Sequence, residues 1–231
     1  VRVVTAFLVR RRGLEQVGGG VEGALSVDYV SGIALREQGW KLLYLQQKLS
    51  AGLAAESMAD FVRQRQRWAN GTLQSLRLPQ GPLQARGLSL GQRLAYLEGV
   101  VHWLNNLPRL VLMLMPLSYG LLGITPILLD QRAIVELMLP LWGTVLLSIG
   151  WLNRHSRSAL LTELTSWVLT VPLVVTLISH VLGSSMGFRV TPKHRQRSQG
   201  GWAWFLALPL IVLSLLNLAN LLGLIQQLIL H

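Results

Sequence analysis

The sequence predicts an α-helical membrane protein joined, at its front, to the end of a cytoplasmic α/β domain. Three observations lead there. The 231 residues are 51% hydrophobic and 13% charged, with mean hydropathy +0.44, far from the balance of a soluble domain. Runs with little or no charge recur at residues 111–129, 133–152, 164–187 and 202–230, each long enough to enter or cross a hydrocarbon core about 30 Å thick. The net charge of +11, from 21 Lys and Arg against 10 Asp and Glu, is gathered before residue 98 and between residues 154 and 197. Clusters of that kind mark cytoplasmic loops under the positive-inside rule, in preference to a nucleic-acid-binding surface. The chain has no cysteine, which excludes a disulfide frame and a thiolate metal site. It opens VRVVTAFLVRRR, without initiator Met or signal-peptide layout, and is expected to be part of a longer protein.

Residues 1–56 read as the end of the α/β domain. The apolar run at 3–9 suits a buried strand, and Gly18, Gly19 and Gly20 break the chain. A helix follows, with Val30, Ile33 and Ala34 at helical spacing and Gly39 as its stop; WKLLYL at 40–45 then reads as a short strand. Asp28 falls in the first turn of a helix that follows a glycine-rich loop, where it can cap the helix or serve a site.

Residues 57–107 are expected to form interfacial helices. The first, at 57–78, has Met58, Phe61, Val62, Ala69, Leu73 and Leu76 on one side, and Ser57 with Asp60 forms a pair of capping-box type at its start. Gln64, Arg67 and Trp68 are related by i, i+3 and i+4. An amide, a guanidinium and an indole therefore share one patch, suited to a ligand anionic at one end and ring-shaped at the other. The segment at 88–107, with Tyr96, His102 and Trp103 among Arg93 and Glu98, has the composition of the headgroup region.

Residues 108–153 are expected to form a transmembrane hairpin, with spans at 111–129 and 133–152 and Arg109 snorkelling from the inner end. Residues 154–200 hold an interfacial or re-entrant helix at about 158–182 followed by a basic loop. Basic groups stand on both sides of that helix, and one crossing cannot leave both in the cytoplasm. Residues 201–231 supply the last span, for about three transmembrane helices in all, with Trp202 and Trp204 at the interface.

Two motifs carry a resemblance. Gln64-Arg65-Gln66-Arg67-Trp68 is a complete Gln-x-x-Arg-Trp, and Phe188-Arg189-Val190-Thr191-Pro192-Lys193 is a complete Phe-x-Val-Thr-x-Lys. With LPRLV at 107–111 between them, the chain resembles the processive family 2 glycosyltransferases, most closely the catalytic subunit of bacterial cellulose synthase, over nearly its whole length. The family's Thr-Glu-Asp stands here as Ser26-Val27-Asp28, so the hydroxyl and the Asp are kept, and whatever the central Glu supports is lost.

The resemblance implies a GT-A-like domain whose C-terminal part is residues 1–56. It also implies Asp28 as general base, Gln64, Arg67 and Trp68 as substrate-binding residues, and Phe188, Val190, Thr191 and Lys193 as a gating loop. The implied activity is inverting polymerisation of a β-glucan from UDP-glucose with translocation across the membrane, as in the UDP-forming cellulose synthases. Partners would be the UDP-sugar, the growing β-glucan, the lipid bilayer and an export subunit of the envelope; nucleic acid is not among them. The implied location is the inner membrane, multi-pass, with the catalytic side cytoplasmic. Mg2+ or Mn2+ is expected, with its ligands in an N-terminal part that has no counterpart here, so the isolated chain is expected to be inactive. The alternatives are a non-catalytic polytopic transporter or channel component with an anion-binding cytoplasmic face, and an inactive relic of the enzyme.

Overall fold

The computed structural model describes residues 7–21, 23–45, 47, 55, 57–124, 131–152, 158–183 and 201–230. Its elements are α1 (Arg11–Gln16), α2 (Val27–Glu37), α3 (Met58–Ser75), α4 (Leu90–Leu104) and α5 (Asn106–Leu122). Then come α6 (Gln131–Ala133), which runs through a π-helical segment (Ile134–Met138) into α7 (Leu139–Leu152), α8 (Ala159–Val181) and α9 (Gly201–Leu230). No strand occurs among the described residues. The chain divides into two compact units, Val1–Asn106 with Pro172–Ala203 and Leu107–Val171 with Trp204–His231.

In the first unit, helix boundaries follow the local chemistry. Gly18 and Gly19 take positive φ and end α1. Helix α2 stops in a Schellman arrangement: Gly39 at φ 82°, with Gly39 N–H on Arg36 C=O at 3.0 Å and Trp40 N–H on Leu35 C=O at 3.1 Å. Helix α3 starts as its sequence predicts, the Ser57 hydroxyl accepting from Asp60 N–H at 3.1 Å and donating to the Asp60 carboxylate at 2.7 Å. Its buried stripe includes Val62, Ala69 and Leu73, part of the apolar side expected. Helix α4 carries a full capping box between Ser89 and Gln92. A small core of Ile33, Ala85 and Leu88, flanked by Tyr29 and Tyr96, gathers α2, α4 and the turn between α3 and α4. Arg93 fixes that turn by donating to the carbonyls of Pro82, Leu83 and Ala85.

The strand expected at 40–45 does not form. Residues 41–45 have no regular structure, and Leu43 and Tyr44 are 86% and 91% exposed. Aromatic and branched residues favour strands by packing on a pleated neighbour, and no neighbouring strand is present among the described residues. Of the strand expected at 3–9, residues 7–9 are likewise irregular, and residues 3–6 lie outside the described set.

In the second unit, Arg109 has protein partners. Its guanidinium lies 3.1 Å from the Glu163 carboxylate and 5.8 Å from the Trp167 ring, since a half-buried charge gains more from a partner than from partial hydration. Asn220 of α9 donates to the Pro116 carbonyl of α5 at 2.8 Å. Gly120 leaves room for that side chain: a Cβ there would overlap the Asn220 amide, which would have to swing away from its place.

Three helices are long and apolar enough to cross a membrane, judged by length and composition among the described residues: Val135–Leu152, Ala159–Val181 and Ala207–Gln226. The second and third expected spans therefore have helical counterparts. The first does not at its expected length. Helix α5 has 17 residues and ends before Gly123 at φ 65°, where Ile124 N–H turns back onto Ser118 C=O. Helix α8, expected to be interfacial or re-entrant, is one continuous helix of 23 residues. Its polar residues do not interrupt it because Thr165, Thr170 and Thr176 each donate to the carbonyl four residues back, at 2.7, 2.9 and 2.9 Å.

Candidate functional site

Gln64, Arg67 and Trp68 lie on one continuous helix, α3, as their spacing requires. Gln64 and Arg67 are half-buried, whereas Trp68 is 39% exposed. The residues between them have their own contacts. The Arg65 guanidinium lies 4.8 Å from the centre of the Trp68 ring and 4.9 Å from that of Phe61. Two aromatic rings one helical turn or so to either side thus share one cation, which limits the rotamers of Trp68.

Asp28 stands in the first turn of α2, exposed, with one carboxylate oxygen accepting from Tyr29 N–H at 3.0 Å. It is not the N-cap; Ser26 holds that place. Tyr29 anchors the helix behind it, donating from its hydroxyl to Tyr96 C=O at 2.6 Å and meeting the Tyr96 ring edge-on at 5.7 Å. Burial, with a smaller contribution from Tyr96, pushes the Tyr29 hydroxyl up to about 12, so at neutral pH it is a fixed donor.

The loop leading into Asp28 is held by the helix that carries Gln64, Arg67 and Trp68. Gln74 of α3 uses both ends of its amide: Oε1 accepts from Leu25 N–H at 2.9 Å, and Nε2 donates to Gly23 C=O at 3.1 Å. One turn earlier, Gly71 lies directly against Ser26, where a Cβ would stand 2.2 Å from the hydroxyl oxygen and 2.8 Å from the backbone nitrogen. Only a glycine fits this approach without displacing the backbone. The loop that leads into Ser26-Val27-Asp28 is thereby joined to the helix that carries Gln-x-x-Arg-Trp, through contacts that Gly71 and Gln74 make just past the motif.

Phe188, Val190, Thr191 and Lys193 lie outside the described residues. For a metal, the donor set does not fit: no three His, Cys, Asp or Glu side chains converge among the described residues. Sequence reasoning passed over Arg65, Gly71 and Gln74. Gly71 did carry a signal, since a glycine inside a helix costs about 1 kcal/mol relative to alanine and implies a packing reason.

Residues 3–218 match the glycosyl transferase family group 2. Over 226 residues the chain is 32% identical to the UDP-forming cellulose synthase catalytic subunit of Pseudomonas fluorescens (strain SBW25), covering 96% of this chain and 30% of that protein. It is 30% identical over 215 residues to cellulose synthase 1 of Komagataeibacter xylinus, covering 93% and 14%. To cellulose synthase 2 of Novacetimonas hansenii it is 35% identical over 189 residues, covering 80% and 12%. The chain therefore spans less than a third of the length of these relatives.

Proposed function

We propose, from the premise that this chain belongs to the glycosyl transferase family group 2, that it is the acceptor-side and membrane portion of a processive glycosyltransferase polymerising a β-glucan from UDP-glucose. The observation that carries the reading is the clamp of Gln74 and Gly71 on the loop before Asp28. It fits a site in which a carboxylate and the Gln-x-x-Arg-Trp patch must serve the same substrates.

In this reading the hydroxyl oxygen at the end of the glucan attacks the anomeric carbon of UDP-glucose from the face opposite the diphosphate. The new C–O bond forms, the bond to the β-phosphate oxygen breaks, UDP leaves with the electron pair, and Asp28 takes the hydroxyl proton. Configuration at the anomeric carbon inverts. Gln64 and Arg67 donate to the diphosphate, where charge grows as the bond breaks, and Lys193 adds a cation to it. Trp68, its ring set by Arg65, stacks on a pyranose of the glucan. Phe188, Val190 and Thr191 would close on the nucleotide and exclude water.

Mg2+ or Mn2+ would supply positive charge against the diphosphate, and no described residue is assigned to hold it. The apolar helices would line the path by which the glucan crosses an inner membrane, its export subunit on the far side and the catalytic face in the cytoplasm. Membranes carrying the full-length protein, supplied with radiolabelled UDP-glucose, are expected to make a cellulase-sensitive polymer. Absence of incorporation contradicts the reading.

A further inference from the structure

The turn of α2 that carries Asp28 lacks the usual cap. The first amides of a helix have no acceptor inside it, and an N-cap side chain commonly supplies one. Here Val30 N–H already reaches Ser26 C=O at 3.1 Å, but the Ser26 side chain, close against Gly71, makes no cap bond. Tyr29 secures the turn from within. Its N–H, one of the amides without a helical acceptor, donates to the Asp28 carboxylate at 3.0 Å, the hydrogen bond that the described residues give that side chain. Its hydroxyl, at the other end of the same residue, donates to Tyr96 C=O of α4 at 2.6 Å. The ring between the two bonds stands edge-on to the Tyr96 ring, at 89° and 5.7 Å. A Cβ on Gly99 would meet its Cε2 and hydroxyl oxygen at 3.8 Å, an ordinary contact, so the ring lies along α4. Val30 and Ile33 behind it are fully buried, whereas Asp28 is exposed. Tyr29 is thus where the held part of α2 meets the free carboxylate.

We propose that Tyr29 is a positioning residue for proton transfer, tying the Asp28 carboxylate to α4 through its own N–H and hydroxyl. This rests on the proposed glycosyltransferase reading, with Asp28 as base, and adds to it a residue just outside Ser26-Val27-Asp28 that acts on the acceptor hydroxyl only through Asp28. A base must stand within hydrogen-bond reach of the proton it takes, and small displacements lower the rate steeply. The tie is permanent at neutral pH, since burial pushes the Tyr29 hydroxyl up to about 12 and keeps it a donor.

The test is a double-mutant cycle in membranes carrying the full-length protein, read as UDP release per UDP-binding site so that unfolded protein is not counted. Tyr29→Phe keeps the ring and removes the bond to Tyr96 C=O. Alone, it is expected to lower turnover about three- to ten-fold, the effect of one lost hydrogen bond, with KM for UDP-glucose within about two-fold of wild type. Added to Asp28→Asn, with incubations extended to collect measurable UDP, it should change turnover by less than about two-fold relative to Asp28→Asn alone, because no carboxylate base is left to misplace. A role in helix packing alone would give the same fall in both backgrounds. That result overturns the inference, as does turnover of Tyr29→Phe within about two-fold of wild type, and either leaves the glycosyltransferase reading intact. A wild-type protein that incorporates no glucose, or an Asp28→Asn protein with wild-type turnover, overturns that reading, and this inference with it.

Discussion

Gly71 and Ser26 are packed so closely that no side chain can stand between them: a Cβ on Gly71 would lie 2.2 Å from the Ser26 hydroxyl oxygen and 2.8 Å from its backbone nitrogen. A hydroxyl can rotate away, but a backbone nitrogen can move only with its loop. Gly71→Ala is therefore expected to destabilise the protein by about 1–3 kcal/mol through overpacking. It should also lower glucose transfer by about 100-fold, as for a catalytic group displaced by an ångström. Thermal unfolding in detergent and initial transfer rates check the two effects separately.

Gln74 predicts an asymmetry between two conservative changes. Gln74→Glu keeps the acceptor for Leu25 N–H but brings a carboxylate against the Gly23 carbonyl, to which the amide now donates. Gln74→Met removes both bonds without that repulsion. Each lost bond is worth about 1 kcal/mol, so Gln74→Met should lose roughly ten-fold or more in kcat, and Gln74→Glu at least as much. Transfer rates at saturating UDP-glucose decide it.

Arg65 is expected to act through Trp68. Replacing Arg65 with Ala removes the guanidinium 4.8 Å from the indole, a contact worth about 0.5–2 kcal/mol, and frees the ring to leave the position proposed for stacking. The half-saturating concentration of a cello-oligosaccharide acceptor should rise about two- to ten-fold on that scale, with little change in KM for UDP-glucose. An equal effect on both substrates would contradict the assignment.

Tyr29 supplies a pH prediction. Its hydroxyl titrates at about 12 in the folded protein against 10.0 for an unperturbed tyrosine, so folding favours the protonated form. The sign follows from linkage. Below pH 10 both states are protonated and this contribution is fully present; between about 10 and 12 the unfolded state loses its proton first, and stability falls. Thermal unfolding in detergent should therefore show a Tyr29-dependent loss confined to that window, and Tyr29→Phe should remove it. The same variant should be less stable at neutral pH by about 1 kcal/mol, for the lost bond to the Tyr96 carbonyl.

What could be read from the sequence was mostly local. Ser57 with Asp60 and the stop at Gly39 are decided by neighbouring residues, so composition and spacing suffice. The alignment of Gln64, Arg67 and Trp68 on one helix is also local, because a helix face follows from spacing alone. Residues 40–45 misled because a strand is defined by its partner, and Leu43 and Tyr44 stand exposed without one among the described residues. Helix α8 was harder to read, since nothing in the spacing of Thr165, Thr170 and Thr176 reveals that their hydroxyls are satisfied inside their own helix. The bonds of Gln74 to residues 23 and 25, and of Gln66 to residues 172 and 176, join positions far apart in the chain. Pairing at that range is a property of the fold.

Asp28 is proposed to accept the proton from the acceptor hydroxyl in a site shared with Gln64 and Arg67. Asp28→Asn is close to isosteric and leaves the Gln74 and Gly71 contacts in place, so it removes the proposed base without moving the loop. UDP release per enzyme, measured in membranes carrying the full-length Asp28→Asn protein alongside UDP affinity, is the direct test. Turnover is expected to fall by about 100- to 10,000-fold, the range of general-base catalysis, with UDP affinity unchanged. Turnover retained near the wild-type level would contradict that role for Asp28.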